Sequence, residues 1–417
     1  MAGVNIDNVG LTFTHYIQGV VDTLQQKSKL RSMLRNDHKW SGSHIEGRVH
    51  VARSTAVGNV EDGGAFPTAD KQDYATYKAY RKFTVGSIQL TDGVMATAKE
   101  GKDVAKGVLT SEVKGMMTGI LKYENGMLYR NGTGSVAQVS DASLSSTDTN
   151  CRVNDARMLW EGLDVQVYDD SSGPTGSSRR TLRVLSVTEA PNSDGTFTVN
   201  FDTAGPNAGQ IGAMETADHL VWNNSLNRAI TGLDKLVDDA ATTFQNVAVG
   251  TYPRYSSLVL DNSGTNRTLT PALFRKMLAG IHQKSGSELP NSGLTVLCNA
   301  WQAINVEELY EGELRLAPSD KTGGLSVAAF QSSLGRINIQ VDLDCLHNKM
   351  FFVDLSKIYR GVQQELQWRK QGDSIFLRSD VSGIHTATAI EISELFIKER
   401  FTSGKIEDLS QDPASAY

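Results

Sequence analysis

The sequence predicts an α+β protein built from unlike regions, and three observations predict it. A β-prone segment doubles back through a cluster of Gly, Pro and Asp. One amphipathic helical pattern runs for about 28 residues. A β-rich stretch is then followed by helices and strands in alternation. The chain has 417 residues, 39% apolar and 21% charged. Those are ordinary values for a globular protein and exclude wholesale disorder, a collagen or a coiled-coil rod. A chain of this length buries roughly three quarters of its surface and divides into two or three units.

The first region is a polar arm over residues 1–47. Within it Phe13, Tyr16, Ile17, Val20, Val21 and Leu24 recur at helical spacing and predict a short amphipathic helix over 12–26. Lys27, Lys29, Arg31, Arg35 and Lys39 then face only Asp37. Such a run is either a solvated helix face or an arm that lies on acidic neighbours or a polyanion. Residues 48–92 read as a long two-stranded ribbon. Extended stretches from Arg48 to Val60 lead to the turn cluster EDGGAFPTAD, and YATYKAYRKFTVGSIQL returns. Period-two alternation puts Tyr74, Lys78, Tyr80 and Lys82 on one face and Ala75, Tyr77, Ala79, Phe83 and Val85 on the other. A two-stranded ribbon is marginal alone in water, so it needs a surface to lie on, and another chain is a good candidate.

Residues 103–130 carry the clearest helix, with Val104, Val108, Val113, Met116, Met117, Ile120, Leu121, Met127 and Leu128 on one broad stripe. Asp103 stands where a carboxylate meets the helix dipole, and Asn131-Gly132 suits the other end. At roughly 1.5 Å per residue the helix spans about 42 Å, the length of a strut. Gly107, Gly115, Gly119 and Gly126 each cost about 0.8–1 kcal/mol relative to Ala, which suggests a bend or a close backbone approach. Residues 136–228 read as a β-rich insertion, with strands GLDVQVYD, TLRVLSVTEA and TFTVNFDT between Gly/Ser/Asn turns. From about residue 229 helices at 270–283 and 301–310 alternate with strands, and Thr270-Pro271 is an N-cap followed by a first-turn proline. Long strand runs return over 365–400, ahead of a polar tail.

The charge balance is 41 − 47 = −6, which argues against a dedicated nucleic-acid binder but not against a wall that DNA merely touches. Cys151, Cys298 and Cys345 are far apart and form no CxxC, so neither a disulfide framework nor a Cys-based zinc site is expected, and a reducing compartment fits. No secretory signal is expected from MAGVNIDNVG, and no run of about 18 apolar residues suggests a membrane span. The sequons at Asn131, Asn223 and Asn266 are then chance matches.

Motifs for chemistry are weak. NGTGSVA follows a helix rather than joining a strand to one, so a helix cap explains it better than a phosphate loop. Gly404-Lys405 lacks the rest of a P-loop, and neither HExxH nor GxSxG occurs. Asp342, Asp344 and His347 form D-x-D-x-x-H, either a divalent-cation site or a strand end leaving its sheet. The eight histidines show no ligand spacing. The expectation is a structural protein with no catalytic, cofactor-binding or metal residues; an α/β enzyme with an unrecognised site is the remote alternative.

The order of these elements resembles the major capsid proteins of tailed bacteriophages. The matching segments are the arm, the loop with tip EDGGAFPTAD (the E-loop), the helix DVAKGVLTSEVKGMMTGILKYENGMLYRNGTG (the spine helix), ITGLDKLVDD, YPRYSSLVLDN, TPALFRKMLAGIHQKSG, LTVLCNAWQAI and the closing QWRKQGDSIFLRSD and AIEISELFIKER. The resemblance implies a capsid fold with N-arm (1–47), E-loop (48–92), peripheral domain with spine helix (93–135), β-rich insertion (136–228), axial α/β domain (229–355), and peripheral strands with a C-terminal tail (356–417). The insertion is not part of the shared core, and no long coiled-coil-like N-terminal scaffolding region is expected. The implied function is self-assembly as pentamers and hexamers into an icosahedral shell around double-stranded DNA. The implied partners are further copies of the chain, a separate scaffold, a portal, a decoration protein and DNA held without specific binding, with no membrane. The place is the virion capsid, assembled in the host bacterial cytoplasm.

Arg31, Arg35, Tyr74, Tyr77, Arg81, Arg315 and Lys321 are the expected inter-subunit contacts. In some relatives an E-loop Lys bonds covalently to an Asn of a neighbour; Lys71, Lys78 and Lys82 lie in that loop here, or are ordinary exposed lysines. The rival readings are an encapsulin-type compartment shell and a β-rich tail or adhesion protein.

Overall fold

Alternating β-branched and aromatic residues form the strands of this chain, and the helices form where apolar residues recur every three to four positions. The computed structural model describes residues 29–38, 40–92, 103–141, 144, 148–169, 175–188, 192, 196–202, 214–222, 224–286, 294–311, 329–332, 335–370, 375–378 and 384–410. The predicted helix over 12–26 lies outside them. In chain order the elements are α1 (Lys29–Met33), β1 (Arg35–Asp37), β2 (His44–Ala52), β3 (Asp73–Tyr80), β4 (Lys82–Thr91), α2 (Asp103–Leu128), β5 (Ser135–Gln138), β6 (Asn150–Val153), β7 (Asp164–Asp169), β8 (Thr175–Val187), β9 (Phe197–Phe201), β10 (His219–Trp222), α3 (Leu233–Leu236), β11 (Thr243–Phe244), β12 (Val247–Ala248), β13 (Leu258–Leu260), α4 (Pro271–Ser285), β14 (Leu294–Cys298), α5 (Ala300–Glu311), β15 (Ala329–Ser332), β16 (Gly335–Val341), β17 (Met350–Val353), β18 (Ile358–Trp368), β19 (Leu377–Arg378), β20 (Ile384–Ile397) and β21 (Gly404–Ile406). They divide into two units. The first comprises Met1–Met33, Arg81–Lys235 and Val362–Glu394; the second comprises Leu34–Tyr80, Leu236–Gly361 and Leu395–Tyr417.

In the first unit the long helix α2 lies on a sheet. Val113, Met117 and Ile120 pack with Ile88 of β4, Ala387 and Ala389 of β20, and Leu366 and Trp368 of β18. Strand β4 runs antiparallel to β20 from Lys82↔Ser393 to Thr91↔Ile384. Gly86 has no Cβ because Ile120 occupies that space. Gly115 and Gly119 face open space, whereas Gly126 lies directly under the Met158 side chain, a close approach of the kind its cost suggested. The NGTG segment after α2 is a turn, as its position implied. Asn131 Oδ1 accepts from the Thr133 N–H at 3.1 Å, and Gly132 and Gly134 take φ of +83° and +85°.

Beyond that turn the insertion folds on itself. Its strands pair antiparallel in the order β5-β10-β7-β8-β9-β6. A bridge between Val139 and Val153 brings the last strand back to the first, with Ser140 N–H donating to Arg152 O (2.8 Å) and Asn154 N–H to Gln138 O (3.0 Å). The result is a closed six-stranded barrel, filled by side chains such as Val153, Val165, Val167, Leu182, Val199 and Phe201. The predicted strands were right, and the closure is what the strand pattern did not announce.

The second unit centres on a mixed six-stranded sheet, β13-β21-β17-β14-β16-β15. Helix α4 covers it with Phe274, Met277, Leu278 and Ile281. Thr270 caps α4 by accepting from the Leu273 N–H, Pro271 opens the first turn, and Gly286 ends the helix at φ +65°. Strand β1 pairs in parallel with the start of β18. The ribbon is β2 against β3, in register from His44↔Tyr80 to Ala52↔Asp73.

One sequence expectation is corrected here. The return run is not one strand: it breaks at Arg81, after which β4 pairs with β20 and not with β2. The break shifts the alternation by one residue, so Ala79 points inward, Thr84, Ile88 and Leu90 point inward, and Phe83 and Val85 are exposed. No described helix is long and apolar enough to cross a membrane.

Candidate assembly surfaces

The ribbon presents two unlike faces because its period is two. Outward, cross-strand pairs join His44 to Tyr80 (5.5 Å between rings), Glu46 to Lys78 (3.7 Å) and His50 to Tyr74 (5.3 Å). Inward, Tyr77 covers the backbone of Gly47 and stacks on Phe396 at 6.0 Å, and Phe396 stacks in turn on Tyr359. Burial, with Asp37 and Tyr359 nearby, pushes the Tyr77 hydroxyl pKa up. The ribbon base is anchored where Lys78 N–H donates to Gln245 O (2.7 Å) and Asn246 Nδ2 donates to Thr76 O (3.1 Å).

Residues 53–72 form an irregular tip. At its neck Asp70 accepts from the Thr55 N–H (3.0 Å), the Lys71 N–H (2.8 Å) and the Thr55 hydroxyl (3.0 Å). These bonds hold its carboxyl below the usual range, the Thr55 N–H contributing most. Further out, Phe66 is 86% exposed and Val57 equally bare. An apolar tip of this kind gains nothing from its own chain.

The expected contact residues separate once placed. Tyr74 is 59% exposed on the outer ribbon face, Arg35 is exposed on β1, and Arg81 is exposed with its guanidinium 5.3 Å from the Phe83 ring centre. Tyr77 is 5% exposed and part of the ribbon base. Arg31 is buried: its guanidinium pairs with Glu124 of α2 and with Glu391 of β20 (3.3 Å), and Glu365 of β18 lies 3.9 Å away. Within this chain Arg31 and Tyr77 therefore act as interior groups. Arg315 and Lys321 lie outside the described residues. The carboxylates around Arg31 were missed by sequence reasoning, although Glu124 sits on the apolar stripe of α2 and Glu391 on the inward alternation Ala387, Ala389, Glu391.

Other candidates take structural parts. Lys71 is exposed at the tip, Lys78 faces Glu46, and Lys82 Nζ donates to Asn227 O at 2.8 Å. Asp342 Oδ1 accepts from the Asp344 N–H (3.1 Å) in the turn after β16. No group of three His, Cys, Asp or Glu among the described residues is placed to hold a metal ion. Cys151, Cys298 and Cys345 are free and buried, and burial pushes the Cys151 and Cys298 thiols up to about 12, which makes them poor nucleophiles. Arg400 lies 4.1 Å over the Phe244 ring and donates to Leu236 O and Asp238 O at 2.8 Å; burial lowers its pKa to about 10. Lys284 donates to Ser256 Oγ (2.7 Å) and Ser257 O (2.8 Å). These groups hold backbone in place.

Known proteins similar to this chain include phage capsid proteins. The model of the SU10 major capsid protein family matches residues 205–375. The capsid asymmetric unit of cyanophage A-1(L) superposes with a TM-score of 0.53 at 14% identity, covering 90% of each chain. The chain has the tailed-phage capsid fold. That fold, with a family match over the later part of the chain, agrees with the resemblance that the order of its elements carries. The capsid of a native GTA particle is also similar, at 8% identity over 92% of this chain and 91% of that one, with a TM-score of 0.49. No curated protein sequence matches.

Proposed function

We propose that the chain assembles as pentamers and hexamers into an icosahedral shell enclosing the double-stranded DNA of a tailed phage, in the virion and by assembly in the bacterial cytoplasm. The observation that carries this reading is the unfinished ribbon: an anchored base, a bare apolar tip, and a fold otherwise shared with a phage capsid over nine tenths of its length. Many modest contacts of this kind close a particle because each copy is held by several neighbours at once. The residues that make them are Tyr74, Arg35 and Arg81, with Phe66 and Val57 at the tip, together with Arg315 and Lys321 from the sequence expectation. A scaffold, a portal and a decoration protein are the further partners. DNA is enclosed and not gripped, which a net charge of −6 favours.

The test is electron microscopy of the chain expressed alone and with its genomic neighbours. Closed shells with five- and six-fold clusters support the reading, and well-folded monomers in both conditions overturn it. Shell contents separate DNA packaging from the compartment alternative, in which protein cargo fills the interior. Tight DNA retention by disassembled subunits at physiological salt contradicts the exclusion of DNA. Replacing Tyr74, Arg81 and Phe66 together by Ala is expected to leave the fold intact and abolish shells; normal shells would remove the ribbon from the mechanism.

A further inference from the structure

A second open apolar surface lies on the mixed sheet of the second unit. Phe274, Met277 and Ile281 of α4 share one core with Ala303 and Val306 of α5 and with Leu294 and Val296 of β14. Leu294 and Val296 point to the same side of their strand, so both helices cover one face of the sheet. Helix α4 lies on β13 and β21 and α5 on β16, toward opposite ends of the strand order.

The outer sides of the two helices are unlike. On α5, Trp301 and Ile304 are 46% and 43% exposed, and Glu307 and Glu308 follow on the next turn. Spacings of three and four put them on one stripe. Leu343, 76% exposed, stands beside that stripe. Asn299 joins the two: its Nδ2 donates to Leu343 O at 3.4 Å, and its Oδ1 accepts from the Trp301 N–H at 3.3 Å. Large apolar side chains gathered in this way mark an interaction surface. On α4 the outward residues are Ala272, Arg275, Lys276 and Ala279, all exposed. Charge is segregated between the helices. The α4 segment holds Arg275, Lys276, His282 and Lys284 and no Asp or Glu, and the α5 segment holds Glu307, Glu308 and Glu311 and no Lys or Arg.

We propose that the outer stripe of α5, with Leu343, docks on the outer stripe of α4 in a second copy of this chain, Glu307 and Glu308 facing the Arg275 and Lys276 of that copy. The inference rests on the shell reading above and adds to the ribbon a contact that closes its rings. A second copy is the fitting occupant because the complement of the acidic, apolar stripe is carried by the same chain at the other end of the same helical layer. Two α5 stripes facing each other would set Glu against Glu, which rules out a two-fold contact. Unlike patches meeting head to tail generate a ring wherever the rotation closes. Trp301 is the anchor, since aromatic residues concentrate at the centre of interfaces, and Ala272 and Ala279 leave it room. The charges set orientation and partner choice more than affinity.

The experiment measures particle yield of the full chain by sedimentation and electron microscopy. Glu307→Lys with Glu308→Lys should leave the circular dichroism unchanged and cut yield on the order of tenfold, because one like-charge contact is repeated around every ring. Arg275→Glu with Lys276→Glu should do the same. All four changes in one chain should restore the yield, since opposite charges meet again. Wild-type particles give a readout that needs no variant. Assembled from isotope-labelled and unlabelled chains and treated with a carbodiimide, they should yield links from Lys276 of one copy to Glu307 or Glu308 of another. Normal yield from either charge-reversed pair overturns the contact, as does a combined variant no better than the pairs, or links found only within single copies. In those cases wild-type shells leave the shell reading standing and only this contact falls. A wild type that forms no shells overturns the shell reading, and this contact with it.

Discussion

The barrel of the insertion and the ribbon of β2 and β3 are both antiparallel excursions built from alternating β-prone sequence, yet they end in opposite conditions. The barrel joins its last strand to its first through Val139 and Val153 and turns Val165, Leu182, Val199 and Phe201 inward. The ribbon has two strands, buries Tyr77 only at its base, and carries Phe66 out into solvent. Local chemistry is nearly the same in both. What differs is whether the apolar surface is completed within the chain. Where it is not, the surface stays open to a second molecule, which is why the proposed assembly contacts lie on the ribbon and not on the barrel.

Four experiments break or sharpen that contrast. The largest effect belongs to the barrel interior: Phe201→Ala should destabilise it by about 3–5 kcal/mol, because a cavity is left in a closed core. Denaturant unfolding followed by the fluorescence of the packed Trp160 and Trp222 pair reads this directly; a loss below about 1 kcal/mol would mean the barrel is not self-sufficient. Next is its entrance, where Gly134→Ala should cost about 1–3 kcal/mol by the same assay. The residue holds φ +85°, and a Cβ there would collide with the Ser225 carbonyl.

On the ribbon, Phe66→Ser should change subunit stability by no more than about 0.5 kcal/mol, since the ring touches so little, while particle yield in sedimentation falls sharply. Unchanged yield would sever the link between exposure and assembly. The smallest effect is at the neck. Asp70 has a lowered carboxyl pKa, so its bonds to Thr55 and Lys71 are fully present above the ordinary carboxylate range and are lost only as pH falls through the lowered value. Exchange of the Thr55 and Lys71 amides should stay slow through mild acid and quicken below it, and Asp70→Ala should make it fast throughout. Equal rates in wild type and variant would show that the clasp does not order the tip.

Much of this architecture was legible beforehand. The cap Thr270-Pro271, the span of α2, the turn at Asn131-Gly132 and the strands of the insertion all rest on interactions between residues a few positions apart, which local spacing records. The candidate contacts were less legible. Tyr74, Arg35 and Arg81 are exposed as expected, but Tyr77 and Arg31 are drawn inward by Phe396 and by Glu124 and Glu391, residues hundreds of positions away or on another element. Arg31 stood in a basic run that looked solvated because its acidic partners are nowhere near it in sequence.

The amino-acid sequence by itself determined the kinds of element, their order and hence the resemblance to the capsid fold, since hydrophobic period and turn chemistry are written into consecutive residues. The tertiary structure alone decided that the return strand breaks at Arg81, that six strands close into a barrel, and that one arginine is locked among three carboxylates. Those outcomes depend on pairing and burial between distant segments, where the free energy of a contact is set by which surface arrives and not by the residue's own neighbours in the chain.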